Sequence, residues 1–176
     1  MFKVSSLGDC DVIIMAGAPA SGKSRLCKII QRHENYSVLN EYITAFNSQV
    51  AFEALIRCGN RVIVDRCNPT IDSRARYLKL ARRYTKSIGL LYIEQSRNTT
   101  IDAITRDLVK SGIVTPVDAQ SKAKDIANDF YACLQSPIIE EYDQFDVFLH
   151  LDANDIEEYF NSFDDLMYGP RQYVKK

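Results

Sequence analysis

The sequence predicts an α/β protein, in which a five-stranded, mostly parallel sheet forms the middle layer of a three-layer sandwich and a helical lid covers one edge. Two observations lead to this fold class. Short runs rich in β-branched residues alternate with segments whose apolar residues recur at helical spacing. A glycine-rich loop also follows the first apolar run directly. Because strands that alternate with helices are joined by right-handed crossovers, the sheet is expected to be parallel and covered on both faces.

Five segments have the character of buried strands. They are DVIIMAG (11–17), YSVLN (36–40), RVIVD (61–65), SIGLLYIEQ (87–95) and FDVFLHLD (145–152). The segments between and after them predict helices: GKSRLCKIIQRH (22–33), FNSQVAFEALIRCGN (46–60), TIDSRARYLKLARRY (70–84), NTTIDAITRDLVKSG (98–112), PVDAQSKAKDIANDFYACLQS (116–136) and DIEEYFNSF (155–163). We expect Gly59 to end the second helix and the Thr70 hydroxyl to cap the third.

The length of 176 residues suits one compact domain. We expect this domain to cover residues 1–176, with the lid at about 98–116 and a polar tail at about 163–176. Ligands of such sheets bind at the carboxyl ends of the strands, so the segments that follow the predicted strands are the ones to search for chemistry.

Composition narrows the classes of function. The net charge of −1 does not indicate nucleic-acid binding by the chain as a whole, although residues 74–86 hold six basic residues and no acidic one. No apolar run reaches membrane-spanning length, and the first residues lack the apolar core of a signal peptide. The five cysteines form no C-x-x-C pair. We therefore expect no membrane association and no secretion, but a cytoplasmic location, or the host-cell interior if the protein is viral.

The stretch GAPASGKS has the spacing G-x-x-x-x-G-K-S of a phosphate-binding loop, and a strand precedes it while a helix follows. Backbone N–H groups in such a loop point inward at an anion, and the helix that begins near Gly22 adds the positive end of its dipole. Lys23 supplies a charge for the β- and γ-phosphates, and the Ser24 hydroxyl is a ligand for Mg²⁺. The pattern predicts binding of ATP or GTP by Gly17, Ala18, Pro19, Ala20, Ser21, Gly22, Lys23 and Ser24.

A second motif, RVIVDRCNP, places Asp65 at the end of a predicted strand. A carboxylate there holds Mg²⁺ through water or positions a hydroxyl acceptor, and it is also common as a helix cap. Asn68, which precedes Pro69, is a candidate substrate-binding residue, and turn chemistry is a partial alternative explanation for it.

The stretches GAPASGKS, VIVDRCNPTIDSRARYLKLARR and ITRDLVKSG together resemble the 5′-kinase domain of polynucleotide kinases, a branch of the P-loop kinases. The resemblance extends over about residues 12–146. Asp65 and Asn68 match the acid and the second asparagine of the family's D-N-T-N-P stretch, whereas Arg66 and Cys67 replace its Asn-Thr. The resemblance implies ATP-dependent phosphorylation of 5′-hydroxyl ends of DNA or RNA, with Mg²⁺ held by Ser24 and Asp65.

The resemblance also implies roles for a lid helix. In the family, two basic residues of the lid neutralise the phosphates, and Arg106 and Lys110 lie one turn apart on one predicted helix face. Lys110 stands where the family often has a second arginine. The alternative is a salt-bridged surface helix, because Asp102 lies one turn before Arg106.

On the acceptor side the sequence departs from the family. The general base of the family is an aspartate after the second strand, with a substrate-binding arginine three residues later; this chain has Glu41 and Thr44 at those positions. The general base is then Glu41 or Asp65. Nucleic acid is expected to follow the basic third helix, where the alternative is an ordinary solvated face. The candidate residues there are Arg74, Arg76, Arg82 and Arg83.

Two other functions fit the same motifs. One is a P-loop kinase that acts on a small metabolite, a nucleotide or a sugar nucleotide through a closed acceptor pocket. The other is a nucleotide-binding module without turnover, which the missing arginine at Thr44 keeps open.

Overall fold

A computed structural model of the chain describes residues 4–40, 45–84, 87–112, 114–170 and 172–174. Its sheet has six strands: β1 (Val12–Gly17), β2 (Tyr36–Asn40), β3 (Arg61–Asp65), β4 (Ile88–Glu94), β5 (Val147–Asp152) and β6 (Tyr173–Val174). They lie in the order β2-β3-β1-β4-β5-β6. Strands β1 to β5 pair in parallel, and β6 pairs antiparallel with β5. The predicted five-stranded parallel sheet is confirmed, and the additional two-residue β6 is too short to leave a pattern in the sequence.

Eight α-helices lie in the described part of the chain. They are α1 (Lys23–His33), α2 (Ala45–Arg57), α3 (Ile71–Tyr84), α4 (Arg97–Ser111), α5 (Pro116–Cys133), α6 (Ile139–Tyr142), α7 (Ile156–Asn161) and α8 (Phe163–Tyr168), preceded by a 3₁₀ turn at Leu7–Asp9. Among these residues no helix is both long and apolar enough to cross a bilayer. The Thr70 hydroxyl accepts a hydrogen bond from the Ser73 amide at 3.0 Å, so Thr70 caps α3 as predicted.

Two hydrophobic cores lie on opposite faces of the sheet. Strand β1 shows the division, because Ile13 and Met15 belong to one core whereas Val12, Ile14 and Ala16 belong to the other. Helices α1, α7 and α8 pack on the first face, and α2 and α3 on the second. The two layers of helix around one sheet confirm the three-layer sandwich.

The segment predicted as a polar tail contains α8 and β6. Leu166 and Met167 of α8 are fully buried in the first core. The Gln172 side chain accepts a hydrogen bond from the Leu7 amide at 2.7 Å and donates one to the Leu166 carbonyl at 3.0 Å. The described part of this segment is thus packed against the body of the fold. The prediction missed this because its two buried residues are too few for a periodic pattern.

The amino-terminal edge of the sheet, where the parallel strands begin, is closed by a cluster around Arg61. The guanidinium lies 4.1 Å from the centre of the Tyr36 ring and donates to Glu34 Oε2 at 2.8 Å. It also donates to the Gly8 carbonyl at 2.5 Å, and the Tyr168 hydroxyl donates to the second Glu34 oxygen at 2.9 Å. The cluster ties the 3₁₀ turn and α8 to β2 and β3.

The carboxyl-terminal edge of the sheet, where the parallel strands end, is arranged differently. Strand β1 lies between β3 and β4; its own connection leads to β2 on one side, whereas the connections from β3 and β4 lead to β4 and β5 on the other side. Such a switch point leaves a crevice beyond the strand ends. The glycine-rich loop between β1 and α1 lies there.

Candidate active site

The loop after β1 requires glycine at its first position. Gly17 has φ of +136°, and a Cβ atom there would lie 2.4 Å from the carbonyl oxygen of Ile93 in β4. The Gly17 amide donates to the Cys67 carbonyl at 2.9 Å, which fixes the loop to the segment after β3. Both contacts are with backbone atoms, so a side chain at Gly17 would displace the loop from the sheet.

The loop ends at a second glycine with positive φ. Gly22 has φ of +92° and is the N-cap of α1, which begins at Lys23 as predicted. A Cβ atom on Gly22 would lie 3.0 Å from Ile156 Cδ1 and 3.4 Å from Phe160 Cζ. Ala20 also has positive φ, at 56°. The amino terminus of an 11-residue helix therefore opens beside the loop.

Lys23 folds over the loop that precedes it. Its Nζ atom donates to the Ala18 carbonyl at 2.5 Å, to the Gly17 carbonyl at 3.1 Å and to Ser21 Oγ at 3.2 Å. The side chain is buried, as is that of Ser21. A buried ammonium group at the mouth of the loop is the charge that a phosphate needs.

A cavity of about 650 Å³ opens over this loop, and we name it the donor cavity. Its lining includes most of the residues predicted to bind nucleotide, and two further walls come from distant segments of the chain. The loop and α1 contribute Pro19, Ala20, Ser21, Gly22, Lys23, Ser24 and Arg25. The strand ends and α4 contribute Asp65, Cys67, Gln95, Thr99, Ala103, Arg106, Asp107 and Lys110. The β5–α7 segment contributes Ala153, Ile156, Glu157 and Phe160.

Two cations of helix α4, which the sequence predicts to bind phosphate, lie at the donor cavity. Arg106 and Lys110 line it together with Thr99 and Ala103, and these positions share one helical face. Both cationic side chains are exposed. The alternative, an ion pair of Arg106 with Asp102, does not form: among the described residues the structure has no ion pair for Arg106 or Lys110. The arrangement suits binding of an anion by α4.

Asp65 lies at the end of β3 in the wall of the same cavity and is buried. The Cys27 thiol lies behind it; burial raises the pKa of that thiol well above its ordinary value, and the Asp65 charge adds to the effect. No group of three His, Cys, Asp or Glu side chains that could hold a metal ion occurs among the described residues. One carboxylate and the Ser24 hydroxyl fit Mg²⁺, which usually completes its octahedron with phosphate oxygens and water.

A second, smaller cavity of about 220 Å³ lies beside the first, and we name it the acceptor-side cavity. Its lining residues come from the turn after β3 and the start of α3. They are Arg66, Cys67, Asn68, Pro69, Ser73, Arg76 and Tyr77. Cys67 lines both cavities, so the two adjoin at the end of β3.

Asn68, a predicted substrate residue, has a structural role. Its side-chain nitrogen donates to the Met15 carbonyl of β1 at 2.7 Å, and the residue is buried with φ of +41°. This bond, together with the one from Gly17 to Cys67, holds the turn after β3 against β1. Asparagine tolerates the left-handed conformation because its short amide can bond to local backbone.

The prediction that Arg74 contacts nucleic acid is wrong. Its side chain is fully buried and donates to both carboxylate oxygens of Glu141, at 2.6 and 2.7 Å. The remaining donors reach the carbonyls of Asn68 at 3.0 Å and Gln135 at 2.9 Å. A guanidinium saturated in this way joins α3 to the chain before β5 and is not accessible to a ligand.

The other basic residues of α3 differ among themselves. Arg82 pairs with Asp146 at 2.9 Å and donates to the Gln144 carbonyl at 2.7 Å. Arg83 is exposed, and Arg76 is half-buried in the acceptor-side cavity. Glu41 and Thr44 lie outside the described residues.

Several residues of the donor cavity were not predicted. Arg25 lies 3.6 Å from the centre of the Phe160 ring and pairs with Glu157 at 3.0 Å, which joins α1 to α7. Thr99 and Ala103 could have been found from their helical spacing to Arg106. The α7 wall has no comparable signal, because its residues meet the loop only through the fold.

The fold and the loop together define the class of this chain: it has the fold of the P-loop kinases, with a glycine-rich loop after the first strand. Among solved structures it is similar to Kti12 from Chaetomium thermophilum in complex with ADP-AlF₃, with a TM-score of 0.60 and 12% identity over 90% of this chain and 100% of that one. It is also similar to a gluconokinase from Sinorhizobium meliloti 1021, with a TM-score of 0.54 and 13% identity over 81% and 82% of the two chains. At sequence identities this low, the similarity shows a shared fold and nothing more.

Among curated proteins the chain is similar to the bifunctional polynucleotide phosphatase/kinase of Schizosaccharomyces pombe (strain 972). The two are 29% identical over 89 residues, which is 49% of this chain and 22% of that protein. The matched part thus spans about a fifth of the relative's length. No sequence-family profile matches the chain.

Proposed function

We propose that the protein is an ATP-dependent phosphotransferase whose acceptor is the 5′-hydroxyl end of RNA or DNA. The observation that carries the proposal is the donor cavity, in which the loop, Asp65 and the two α4 cations converge. The partial similarity to the yeast polynucleotide phosphatase/kinase supports the acceptor class. The complex of Kti12 with ADP-AlF₃ supports the binding of a nucleotide on this fold.

The donor triphosphate lies along the loop in this proposal. Backbone amides of the loop and the amino terminus of α1 bind the phosphates, and Lys23 turns its ammonium group toward the β- and γ-phosphates. Ser24 and Asp65 hold Mg²⁺, which supplies further charge neutralisation when bound. The apolar side chains of Ile156 and Phe160 offer a surface for the base.

Transfer breaks the bond between the γ-phosphorus and its bridging oxygen and forms a bond from the acceptor oxygen to that phosphorus. The acceptor hydroxyl gives its proton to Asp65 or Glu41, and ADP leaves. Arg106 and Lys110 stabilise the charge that spreads over the migrating phosphoryl group and the leaving oxygen. Positioning and charge neutralisation thus account for most of the catalysis.

A small acceptor is the second candidate, and the ion pairs of α3 favour it. Arg74 is buried against Glu141, and Arg82 is engaged with Asp146, so the basic surface is shorter than the sequence predicts. A nucleoside or sugar alcohol would use the same donor cavity and the same chemistry.

The test is phosphate transfer from radiolabelled Mg·ATP to a 5′-hydroxyl oligonucleotide, with the 5′-phosphorylated oligonucleotide as the blank. A panel of nucleosides and sugar alcohols covers the second candidate. We expect transfer to the oligonucleotide that falls about 10²–10³-fold in Lys23→Ala. Lys28→Ala, an exposed lysine on the same helix, is the matched control and should retain activity.

Three outcomes separate the candidates. Transfer to the oligonucleotide alone supports the proposal, and transfer only to a small alcohol replaces it with the second candidate. Nucleotide binding without transfer to any acceptor contradicts both and indicates a module without turnover.

A further inference from the structure

A third cavity, of about 200 Å³, opens beyond the ends of β4 and β5, and we name it the β4–β5 cavity. It shares Gln95, Thr99 and Ala153 with the donor cavity, so the two cavities adjoin. The complete lining is Glu94, Gln95, Ser96, Thr99, Asp152, Ala153 and Asn154. The space over the glycine-rich loop therefore extends toward the outer strands of the sheet.

The sheet order places the β4–β5 cavity on the side of the loop that faces away from the acceptor-side cavity. Strand β1, which precedes the loop, lies between β3 and β4, and the acceptor-side cavity lies at the end of β3. In phosphoryl transfer the attacking and leaving oxygens are roughly in line, so the leaving nucleotide extends away from the acceptor. With its phosphates on the loop, a nucleotide donor then has its base near the β4–β5 cavity.

The side-chain amide of Gln95 carries a buried donor at the junction of these two cavities. Its Nε2 atom is buried, and none of the residues that the structure describes supplies a hydrogen-bond partner for it. A buried donor without a partner costs free energy that the fold does not recover. In the wall of a cavity, such a donor indicates that a ligand supplies the acceptor.

The backbone that carries this amide is held in place by its neighbours. The Tyr131 hydroxyl of α5 donates to the Gln95 carbonyl at 2.6 Å. On the preceding residue, the Glu94 carbonyl accepts a hydrogen bond from the Ala153 amide at 2.8 Å. On the following residue, the Ser96 side chain caps α4. Gln95 thus extends from a fixed position, which a residue that selects a ligand requires.

Acidic side chains surround the amide. Glu94 and Asp152 line the β4–β5 cavity, and its described lining contains no Lys or Arg. Glu94 Oε2 pairs with His150 at 2.9 Å, and Asp152 Oδ1 accepts a hydrogen bond from the Asn154 amide at 2.7 Å. Carboxylates accept hydrogen bonds and repel other oxygens. This wall therefore favours a base with an exocyclic amino group over a base with a carbonyl group in the same place.

We propose that Gln95 is a specificity-determining residue for the nucleotide donor and that its amide binds the hydrogen-bonding edge of adenine. Nε2 donates to a ring nitrogen of the base, and Oε1 accepts from the 6-amino group, which is the bidentate pairing of glutamine with adenine. The inference rests on the proposed phosphotransfer function and narrows its donor to adenine nucleotides. Guanine and hypoxanthine have a carbonyl oxygen where adenine has the amino group, and this oxygen would face the acidic wall.

Binding of nucleoside diphosphates tests the inference without turnover. Mg·ADP and Mg·IDP, the inosine analogue, are titrated calorimetrically into the full chain. We expect ADP to bind at least about 10-fold more tightly than IDP. Gln95→Met keeps the length of the side chain but removes the amide, and it should remove most of that difference. Gln95→Glu keeps an acceptor but loses the donor, so it should weaken ADP binding more than IDP binding, because hypoxanthine has an N1–H that donates to a carboxylate.

Thermal unfolding distinguishes base recognition from a role in the fold. Within the described part of the chain, Gln95 Nε2 has no partner to lose, so the unfolding midpoint of nucleotide-free Gln95→Met should equal or exceed that of the wild type. A lower midpoint would indicate a structural role for the amide and would contradict the proposal. Gln120→Met, an exposed glutamine of α5 outside both cavity linings, is the matched control and should keep the wild-type preference for ADP.

The inference fails if ADP and IDP bind the wild type with equal affinity, or if Gln95→Met keeps the wild-type preference. The proposed function fails separately. A preference for ADP that depends on Gln95, without transfer to any acceptor, contradicts the kinase proposal and leaves base recognition standing. Transfer from ATP and from ITP with equal kcat/KM contradicts base recognition alone.

Discussion

Basic side chains have opposite roles at the two edges of the sheet. At the amino-terminal edge, Arg61 donates to Glu34, to the Gly8 carbonyl and to the Cys10 carbonyl, and it stacks on Tyr36. At the carboxyl-terminal edge, Arg106 and Lys110 project into a cavity and have no ion pair within the described part of the chain. Cations whose charge the protein already satisfies stabilise the fold, whereas cations that face a cavity are available to a ligand.

Arg74 belongs with the first group although its sequence neighbourhood suggests the second. Other residues of the basic helix are accessible, whereas Arg74 is fully buried and paired with Glu141. The comparison therefore predicts two kinds of variant. Those of the saturated arginines lose stability, and those of the cavity cations lose phosphotransfer with little loss of stability.

The largest expected effect is on folding. Arg74→Ala leaves the buried Glu141 carboxylate without its partner, so we expect the free energy of unfolding to fall by about 3–5 kcal/mol. Urea unfolding measures the loss, and Arg76→Ala, on the same helix but half-buried in a cavity, is the matched control. The double variant Arg74→Met, Glu141→Leu should recover much of the loss, because it removes both buried charges. A loss in Arg74→Ala no larger than in the control would contradict the assignment.

The next effect is on phosphotransfer. Arg106→Ala should lower kcat about 10²-fold, because a guanidinium contributes charge-assisted hydrogen bonds to the migrating phosphoryl group. Lys110→Ala should lower it about 10-fold, since an ammonium group acts as a point charge. Both side chains are exposed, so thermal unfolding should be unchanged.

The matched control for these two variants is Arg97→Ala, at the first turn of the same helix and outside the lining of the donor cavity. Steady-state kinetics with the acceptor that supports transfer give the comparison. Equal kcat values for Arg97→Ala, Lys110→Ala and Arg106→Ala would show that α4 does not act on the phosphates.

The smallest effect concerns the amino-terminal edge at alkaline pH. Burial raises the pKa of the Tyr36 phenol above its ordinary value of 10.0. The folded chain then keeps a proton that the unfolded chain loses, so the contribution is complete below pH 10 and declines as the pH rises beyond it. Urea unfolding between pH 8 and 11 should show a shallower alkaline decline in Tyr36→Phe than in the wild type.

The same substitution should cost about 1 kcal/mol at neutral pH, because it removes the hydrogen bond from the Tyr36 hydroxyl to the Cys10 carbonyl at 2.8 Å. Tyr173→Phe, an exposed tyrosine, is the control. If the free energy of unfolding declines equally with alkaline pH in the wild type and in Tyr36→Phe, Tyr36 does not stay protonated in the closed edge of the folded chain.

Local patterns account for what the sequence could predict. The glycine-rich motif is eight consecutive residues at the junction of a strand and a helix, so the geometry of the loop follows from short-range spacing. The five strands follow from compact β-branched runs, and the shared face of Arg106 and Lys110 follows from helical periodicity. The parallel arrangement of the strands follows from their alternation with helices along the chain. The loop, each strand and the helix face are each decided within about 15 residues.

Long-range partners account for what it could not. Arg74 is buried because it pairs with Glu141, which lies 67 positions away in the sequence. The register of β2 against β3, which sets Asn40 opposite Asp65, is likewise not revealed by a single sequence. The α7 wall is defined by the approach of Ile156 to Gly22, a contact between opposite ends of the chain.

The binding of Mg·ATP to the loop tests the central claim most directly. Calorimetric titration of the protein with a non-hydrolysable ATP analogue and Mg²⁺ should give one site with a dissociation constant between about 1 μM and 1 mM. Lys23→Ala should weaken this binding at least about 10-fold, whereas Lys28→Ala should leave it unchanged. No detectable binding to the wild type, or equal affinity in wild type and Lys23→Ala, would contradict the account.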